Sequence, residues 1–289
     1  MVASLFEALA AALKPERPVR IVDVGANPMH EPPYGDLLAA GCAEVVGFEP
    51  QAAAFAVLQA DKPAHATYVN AAVGAGGTGT LHWWPQAPGM ASLYPLRARS
   101  ARYLGRFRGL AGTAEEIALD TKTLDELAEV PDIDLLKIDV QGAERDIIRA
   151  GREKLKDAVA VITEMRFYQL YRGEPPMGQL DLELRRQGFI LHKFLPMART
   201  MLPSRYAGRL SKTARSQIID GDAVYIRPLE TPEDWETEAL KRLALLAAGA
   251  FGSYDLALMV LAELEDRGAV ARADIDAFIA ALPKTARAA

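Results

Sequence analysis

The chain predicts an α/β protein built on a mostly parallel sheet with helices on both faces. Three observations lead there. Apolar, β-branched runs alternate with stretches of helical periodicity through residues 19–228. The first run ends in a glycine turn, Asp23-Val24-Gly25-Ala26-Asn27. The second, VVGFEP, follows about twenty residues later and ends in an acid, Glu49.

The elements follow in order. Residues 1–18 predict a helix of their own, with Leu5, Phe6, Leu9 and Leu13 on one face. This segment lacks the basic start of a secretory leader, and Glu7 interrupts its apolar run. Residues 19–24 read as a buried strand and 45–48 as its neighbour, with a helix between them. A helix over 51–60 and a third strand over 67–73 come next. Residues 133–140 (IDLLKIDV) form a buried strand, then a helix over 143–150 and a strand over 158–163 that runs into Glu164. A helix over 177–187 leads to a strand over 189–194, and residues 218–227 close the sheet. Strands separated by helices imply a parallel sheet covered on both sides. Beyond Pro228 the chain turns alanine- and leucine-rich. Trp235, Leu240, Leu243 and Leu246 recur at helical spacing, and 254–264 and 275–282 read as two more helices. Residues 229–289 are therefore expected to form a small helical appendage that packs on the core or provides a homodimer surface.

Composition narrows the function classes. A net charge of −5 over 289 residues argues against non-specific nucleic-acid binding. A single cysteine, Cys42, excludes an internal disulfide and fits a reducing, cytoplasmic setting. No apolar run is long enough to span a bilayer, so no membrane partner is expected.

The first two strands carry the chemistry. The Gly25-to-Glu49 spacing suits an acid that takes both hydroxyls of a ribose. The alternative is a plain strand-to-helix turn. A dinucleotide fingerprint needs three glycines to admit a pyrophosphate, whereas Asn27 and Met29 stand at its later positions with Pro28 between them. That disfavours a dehydrogenase. S-adenosylmethionine has no phosphate and needs room only for a methionine tail. Asp23, Glu49, Asn70, Asp139 and Glu164 all fall at or near predicted strand ends, where open α/β sheets bind ligands.

The segments VDVGAN, GFEP, YVNAAVG, GMASLY, TKTLDEL and above all DLLKIDVQGAE resemble the FkbM family of S-adenosylmethionine-dependent methyltransferases, over roughly residues 19–195. The resemblance implies the class I methyltransferase fold, Rossmann-like with a seven-stranded sheet. It implies S-adenosyl-L-methionine as cofactor, and Asp23, Gly25, Ala26, Asn27, Glu49, Pro50, Asn70 and Asp139 as its binding residues. In this set Gly25 and Ala26 pass under the methionine portion and Glu49 holds the ribose. Asn70 either meets the adenine edge or caps its strand. Asp139 faces the reacting centre, and Lys137, which shares its face by strand alternation, is either the buried partner of a carboxylate or part of the substrate wall. Met29 departs from the glycine that many members carry at that position.

A hydroxyl acceptor must lose a proton, which calls for a base. Asp139, His30 and Glu164 are the candidate catalytic residues. Asp139 and Glu164 have the oxygen chemistry of a divalent-ion site, but no metal-binding spacing accompanies them, and no metal is expected. Two basic stretches stand out: Arg97, Arg99, Arg102, Arg106 and Arg108, interleaved with Tyr103 and Phe107, and Arg199, Arg205, Arg209, Lys212 and Arg215. They suit either an anionic acceptor gripped by arginines or solvated lids. The expected reaction is O-methylation of a hydroxyl on a sugar, glycan precursor or similar small metabolite. The competing expectation is a non-catalytic binding or assembly protein that retains the fold.

Overall fold

The computed structural model describes residues 2–29 and 31–287. α1 (Val2–Leu13), β1 (Val19–Val24), α2 (Gly35–Ala39), β2 (Ala43–Phe48), α3 (Ala52–Ala60) and β3 (Ala66–Val69) form the first half of a wound sheet. An excursion follows through β4 (Ala72–Val73), β5 (Gly77–Trp83), α4 (Ala98–Leu104) and β6 (Glu115–Lys122). The second half comprises β7 (Leu135–Ile138), α5 (Glu144–Ala150), α6 (Arg152–Leu155), β8 (Ala160–Arg166), α7 (Met177–Arg186), β9 (Ile190–Thr200) and β10 (Gln217–Ile226). α8 (Thr237–Gly249), α9 (Tyr254–Asp266) and α10 (Arg272–Ala281) complete it.

Seven strands pair in the order β3-β2-β1-β7-β8-β10-β9. β3, β2, β1, β7 and β8 run parallel, while β10 lies antiparallel to both β8 and β9. This is the class I methyltransferase arrangement that the resemblance implied. The chain order reverses beside β1, the switch point at which open sheets bind ligands.

Strand alternation sorts the core into two faces. Ile21, Val45, Leu135, Ile162 and Val224 face one way, into a cluster with α1, α2 and α8–α10. Val22, Val24, Leu136, Ile138, Val161 and Tyr225 face the other way, against α5 and α7. Residues 237–281 thus belong to one of the two covering layers. Leu240, Leu243 and Leu246 are fully buried there with Val19 and Ile21. Among the described residues no helix is long and apolar enough to cross a membrane.

Three expectations needed correction. Residues 67–73 are not one strand: β3 stays in the large sheet, while β4 leaves it to pair with β6 in a small sheet of order β4-β6-β5. The break falls at Asn70, whose side-chain amide donates to the carbonyls of Glu49 (2.8 Å) and Pro50 (3.1 Å) and so turns the chain. Residues 218–227 do not close the sheet, because β10 inserts between β8 and β9 and leaves β9 at the edge. Finally, β5 and β6 were not expected at all. Most of their side chains are exposed, so they lack the apolar run of a buried strand.

Truncating Leu243 should test how firmly α8 belongs to the core. Leu243→Ala is expected to lower stability by about 2–5 kcal/mol, read as a shift of the urea midpoint at constant slope. A loss under about 0.5 kcal/mol would place this helix outside the cooperative unit.

Candidate active site

β1 ends at Val24 because Gly25 turns the chain with a φ of +83°. The Gly25 and Ala26 amides both donate to the Phe48 carbonyl, at 3.0 Å each, which ties the turn to the tip of β2. A Cβ on Gly25 would stand 2.0 Å from the Asp139 carbonyl oxygen. Only glycine fits, on both conformational and steric grounds. Ala26 is buried behind the turn, its methyl against Gly47. Asn27 closes the turn by accepting from the Met29 amide at 3.0 Å.

A cavity of about 220 Å³ opens in front of this turn. Gly25, Asn27, Glu49, Pro50 and Asp139 line it on the large-sheet side. Leu81, Leu93 and Leu119, from the small sheet and its connections, form part of the opposing wall together with Gln141. These residues escaped the sequence analysis because nothing in an exposed, glycine- and threonine-rich hairpin marks it as a ligand wall. Met29 also lines the cavity, against Gly89, and remains half exposed without filling it.

Glu49 is 3% exposed, and its Oε1 accepts from the Gln51 amide at 2.7 Å. Among the described residues Oε2 has no hydrogen-bond partner. Burial pushes the Glu49 carboxyl up to about 7, with Gln51 acting in the opposite sense. A buried acid whose free oxygen borders a cavity suits a pair of ribose hydroxyls as donors.

Asp23 does not line the cavity. It is buried beneath the turn, where the Tyr34 hydroxyl donates to Oδ2 at 2.7 Å and the Lys137 ammonium stands 3.2 Å from Oδ1. Burial alone would lower the Lys137 pKa, but the Asp23 and Asp139 carboxylates raise it above the ordinary lysine value. Lys137 is therefore a buried cation with Asp23 as its carboxylate partner, the first of the two roles the sequence left open, and it does not line the cavity.

Asp139 reaches the cavity from the end of β7, where its amide is bonded to the Val24 carbonyl at 3.0 Å. Its Oδ1 accepts from Gln141 Nε2 at 3.0 Å. The same Nε2 lies 3.2 and 3.1 Å from the two oxygens of Glu164. Gln141 Oε1 in turn accepts from Arg166 and from the Tyr171 hydroxyl, both at 3.0 Å. Gln141, held at a φ of +59°, is the junction of this network and was missed from the sequence. Glu164 sits behind it, off the cavity, paired with Arg166 at 2.6 Å. Burial pushes the Glu164 carboxyl well up, against the pull of Arg166. Oxygens of Asp139, Glu144 and Glu164 lie within 4.8 Å of one another. Glu144 accepts from the Val140 and Gly142 amides at 3.0 Å, which fixes the loop after β7. Asn70 lies outside the cavity lining, its amide spent on the clamp described above. His30 lies outside the described residues.

Two outcomes follow for cofactor affinity. Gly25→Ala is expected to abolish binding of S-adenosylhomocysteine in calorimetry, because the added methyl displaces the Asp139 backbone. In the wild-type chain that affinity should rise between about pH 6 and pH 8 and then level off, since only the ionised Glu49 accepts two hydroxyl donors. The sign for stability is opposite: a folded-state pKa raised from 4.5 to about 7 makes this group's contribution fall as pH rises through that window. Glu49→Gln should flatten the binding profile; a flat wild-type profile removes Glu49 from the site.

The chain is similar to several known methyltransferases. One curated relative is the 2-O-methyltransferase NoeI of Sinorhizobium fredii (strain NBRC 101917 / NGR234), 40% identical over 70 residues. That alignment spans 23% of this chain and 29% of NoeI. Among solved structures, magnesium protoporphyrin IX methyltransferase (ChlM) from Synechocystis PCC 6803 with bound SAM aligns over 78% of both chains, at 13% identity and a TM-score of 0.38. The 16S rRNA methyltransferase KamB aligns over 77% of this chain and 93% of its own, again at 13% identity and a TM-score of 0.38. Residues 23–191 match the methyltransferase FkbM domain, which is more than half of the sequence. The chain belongs to the FkbM family of methyltransferases, with S-adenosylmethionine as its cofactor.

Proposed function

We propose that this methyltransferase transfers its methyl group to a hydroxyl oxygen of a sugar, glycan precursor or similar small metabolite. The observation that carries the reading is the Asp139 carboxylate. It borders the cavity with Oδ1 held by Gln141 and with no protein donor on Oδ2 among the described residues. The local match to a protein named as a 2-O-methyltransferase supports oxygen as the acceptor atom.

The cavity fits the cofactor's outline. Gly25 borders the cavity with bare backbone and lets the tip of β7 close in against it, Asn27 closes the turn beside it, and Glu49 supplies a buried carboxylate with one free oxygen. When bound, S-adenosylmethionine supplies a methyl group already activated on a sulfonium, so alignment accounts for much of the rate. Gly25 and Asn27 would border the methionine portion, and Glu49 would accept from the ribose hydroxyls. Asp139 takes the acceptor's hydroxyl proton on Oδ2 as the oxygen gains carbon. Lys137 stays a cation beside the Asp23 carboxylate, at 3.2 Å, beneath the turn. Gln141 holds the Asp139 carboxylate in place by bonding the oxygen that does not react.

Asp139→Asn should retain the fold and S-adenosylhomocysteine affinity but slow turnover by about 10²–10⁴-fold. The assay is transfer of labelled methyl to a panel of monosaccharides and small hydroxylated metabolites, with fragmentation of the product to place the methyl on oxygen or nitrogen. Undiminished turnover rules out Asp139 as the base. A product methylated on nitrogen overturns the oxygen assignment.

A further inference from the structure

A second cavity, about 510 Å³, opens on the other side of Gln141 from the Asp139 carboxylate's surroundings. Arg97, Arg99, Arg172, Gln169 and Tyr171 line it, and no acidic side chain does. Tyr171 is buried, and its hydroxyl reaches Gln141 Oε1 at 3.0 Å. Gln141 lines the cofactor cavity and bonds Asp139, so the Tyr171–Gln141 pair stands between the two spaces.

The bases of two of the arginines are fixed by backbone pairing. Leu96 and Tyr171 form an antiparallel bridge, with the Arg97 amide donating to the Leu170 carbonyl (2.9 Å) and the Arg172 amide to the Pro95 carbonyl (2.8 Å). Residues 97 and 172 each lie one step from that bridge, so pairing and alternation put them on one face. Arg166 lies over the Tyr171 ring at 5.6 Å.

The guanidinium groups themselves are uncompensated. Among the described residues Arg97 meets only Gln169 Oε1, at 3.5 Å, and the Arg99 and Arg172 side chains have no hydrogen-bond or ion-pair partner. Elsewhere in the same chain Arg17, Arg20, Arg145, Arg152 and Arg166 are all paired with carboxylates. Around Arg97 and Arg99 no Asp or Glu occurs from residue 62 to residue 114, and Glu174, two residues after Arg172, is engaged by the Leu170 amide. Three unpaired cations around one concavity raise the local potential in a chain of net charge −5. Their planar forks match the oxygens of a carboxylate or phosphoryl group.

We propose that this second cavity is an anion subsite for the methyl acceptor. Arg97, Arg99 and Arg172 take a phosphoryl or carboxylate group, and the hydroxyl to be methylated lies on the Asp139 side of Gln141. The inference rests on the methyltransferase reading above and names the acceptor class for that site: a hydroxylated small molecule with an oxyanion at one end.

The test is calorimetric titration of the protein, with and without S-adenosylhomocysteine, using glucose 6-phosphate, glucuronate and glucose. At least one anion should bind at least about tenfold more tightly than glucose, and the better anion identifies the group as phosphoryl or carboxylate. Arg97→Gln with Arg172→Gln should weaken that anion by at least about tenfold while leaving S-adenosylhomocysteine affinity unchanged. Arg205→Gln with Arg209→Gln, in the exposed segment between β9 and β10, should leave both affinities unchanged. Anions that bind no better than glucose, or that bind the Arg97/Arg172 variant as well as wild type, overturn the subsite even if the cofactor binds. If S-adenosylhomocysteine fails to bind but the anions bind in an Arg97- and Arg172-dependent way, the subsite stands and the cofactor reading falls.

Discussion

The contact on which the site depends is backbone against backbone: Gly25 at the tip of β1 lies flush with the Asp139 carbonyl at the tip of β7. The adjacent parallel strands β1 and β7 leave the sheet side by side, and the hydrogen bond from the Asp139 amide to the Val24 carbonyl holds them there. Everything functional is arranged around that seam. The turn after Gly25 borders the cavity on one side, and the chain after Asp139 carries Gln141 and the loop pinned by Glu144. A side chain at position 25 would separate the two tips and with them the groups that bind from the group that reacts.

Beneath and beside the seam lie two buried charge clusters with different roles. Asp23, Tyr34 and Lys137 form a compact, hydrogen-bonded group below the turn. Arg166 is the other centre: it contacts Glu164 and Asp220, with Glu174 nearby, and also reaches Gln141. Burial pushes Glu174 up to about 7, despite the pull of Arg166. A buried cation among several acids is costly to desolvate and contributes chiefly by fixing geometry. Here it fixes the amide of Gln141, which in turn orients Asp139. The orientation of the proposed base is thus set by an arginine at the end of the neighbouring strand.

How much of this could be read from the residues depended on burial. β1, β2, β7 and β8 announced themselves because both faces of each strand are apolar, and Glu49 and Asp139 because acids interrupt such runs at their ends. The small sheet was invisible for the opposite reason: β5 and β6 lie largely in solvent and carry threonines, glycines and acids like any loop. Asn70 shows a further limit. Its amide suited either an adenine edge or a cap, and the choice turned on a local chain reversal that periodicity does not encode. Arg166 did leave a signal. An arginine ending the buried run VITEMR must find carboxylates, and Glu164 is two residues before it; Asp220 and Glu174 became its neighbours only through strand order and loop path.

The covering layer built from α1 and α8–α10 has a consequence for how the chain is made. The first helix and the last three share one apolar face of the sheet, with α1 in contact with both α8 and α10. During synthesis β1, β2 and β7 emerge long before the helices that will cover that face. A nascent chain therefore carries an exposed aliphatic surface until nearly all of these residues have left the ribosome, when contacts of very long sequence separation can finally form.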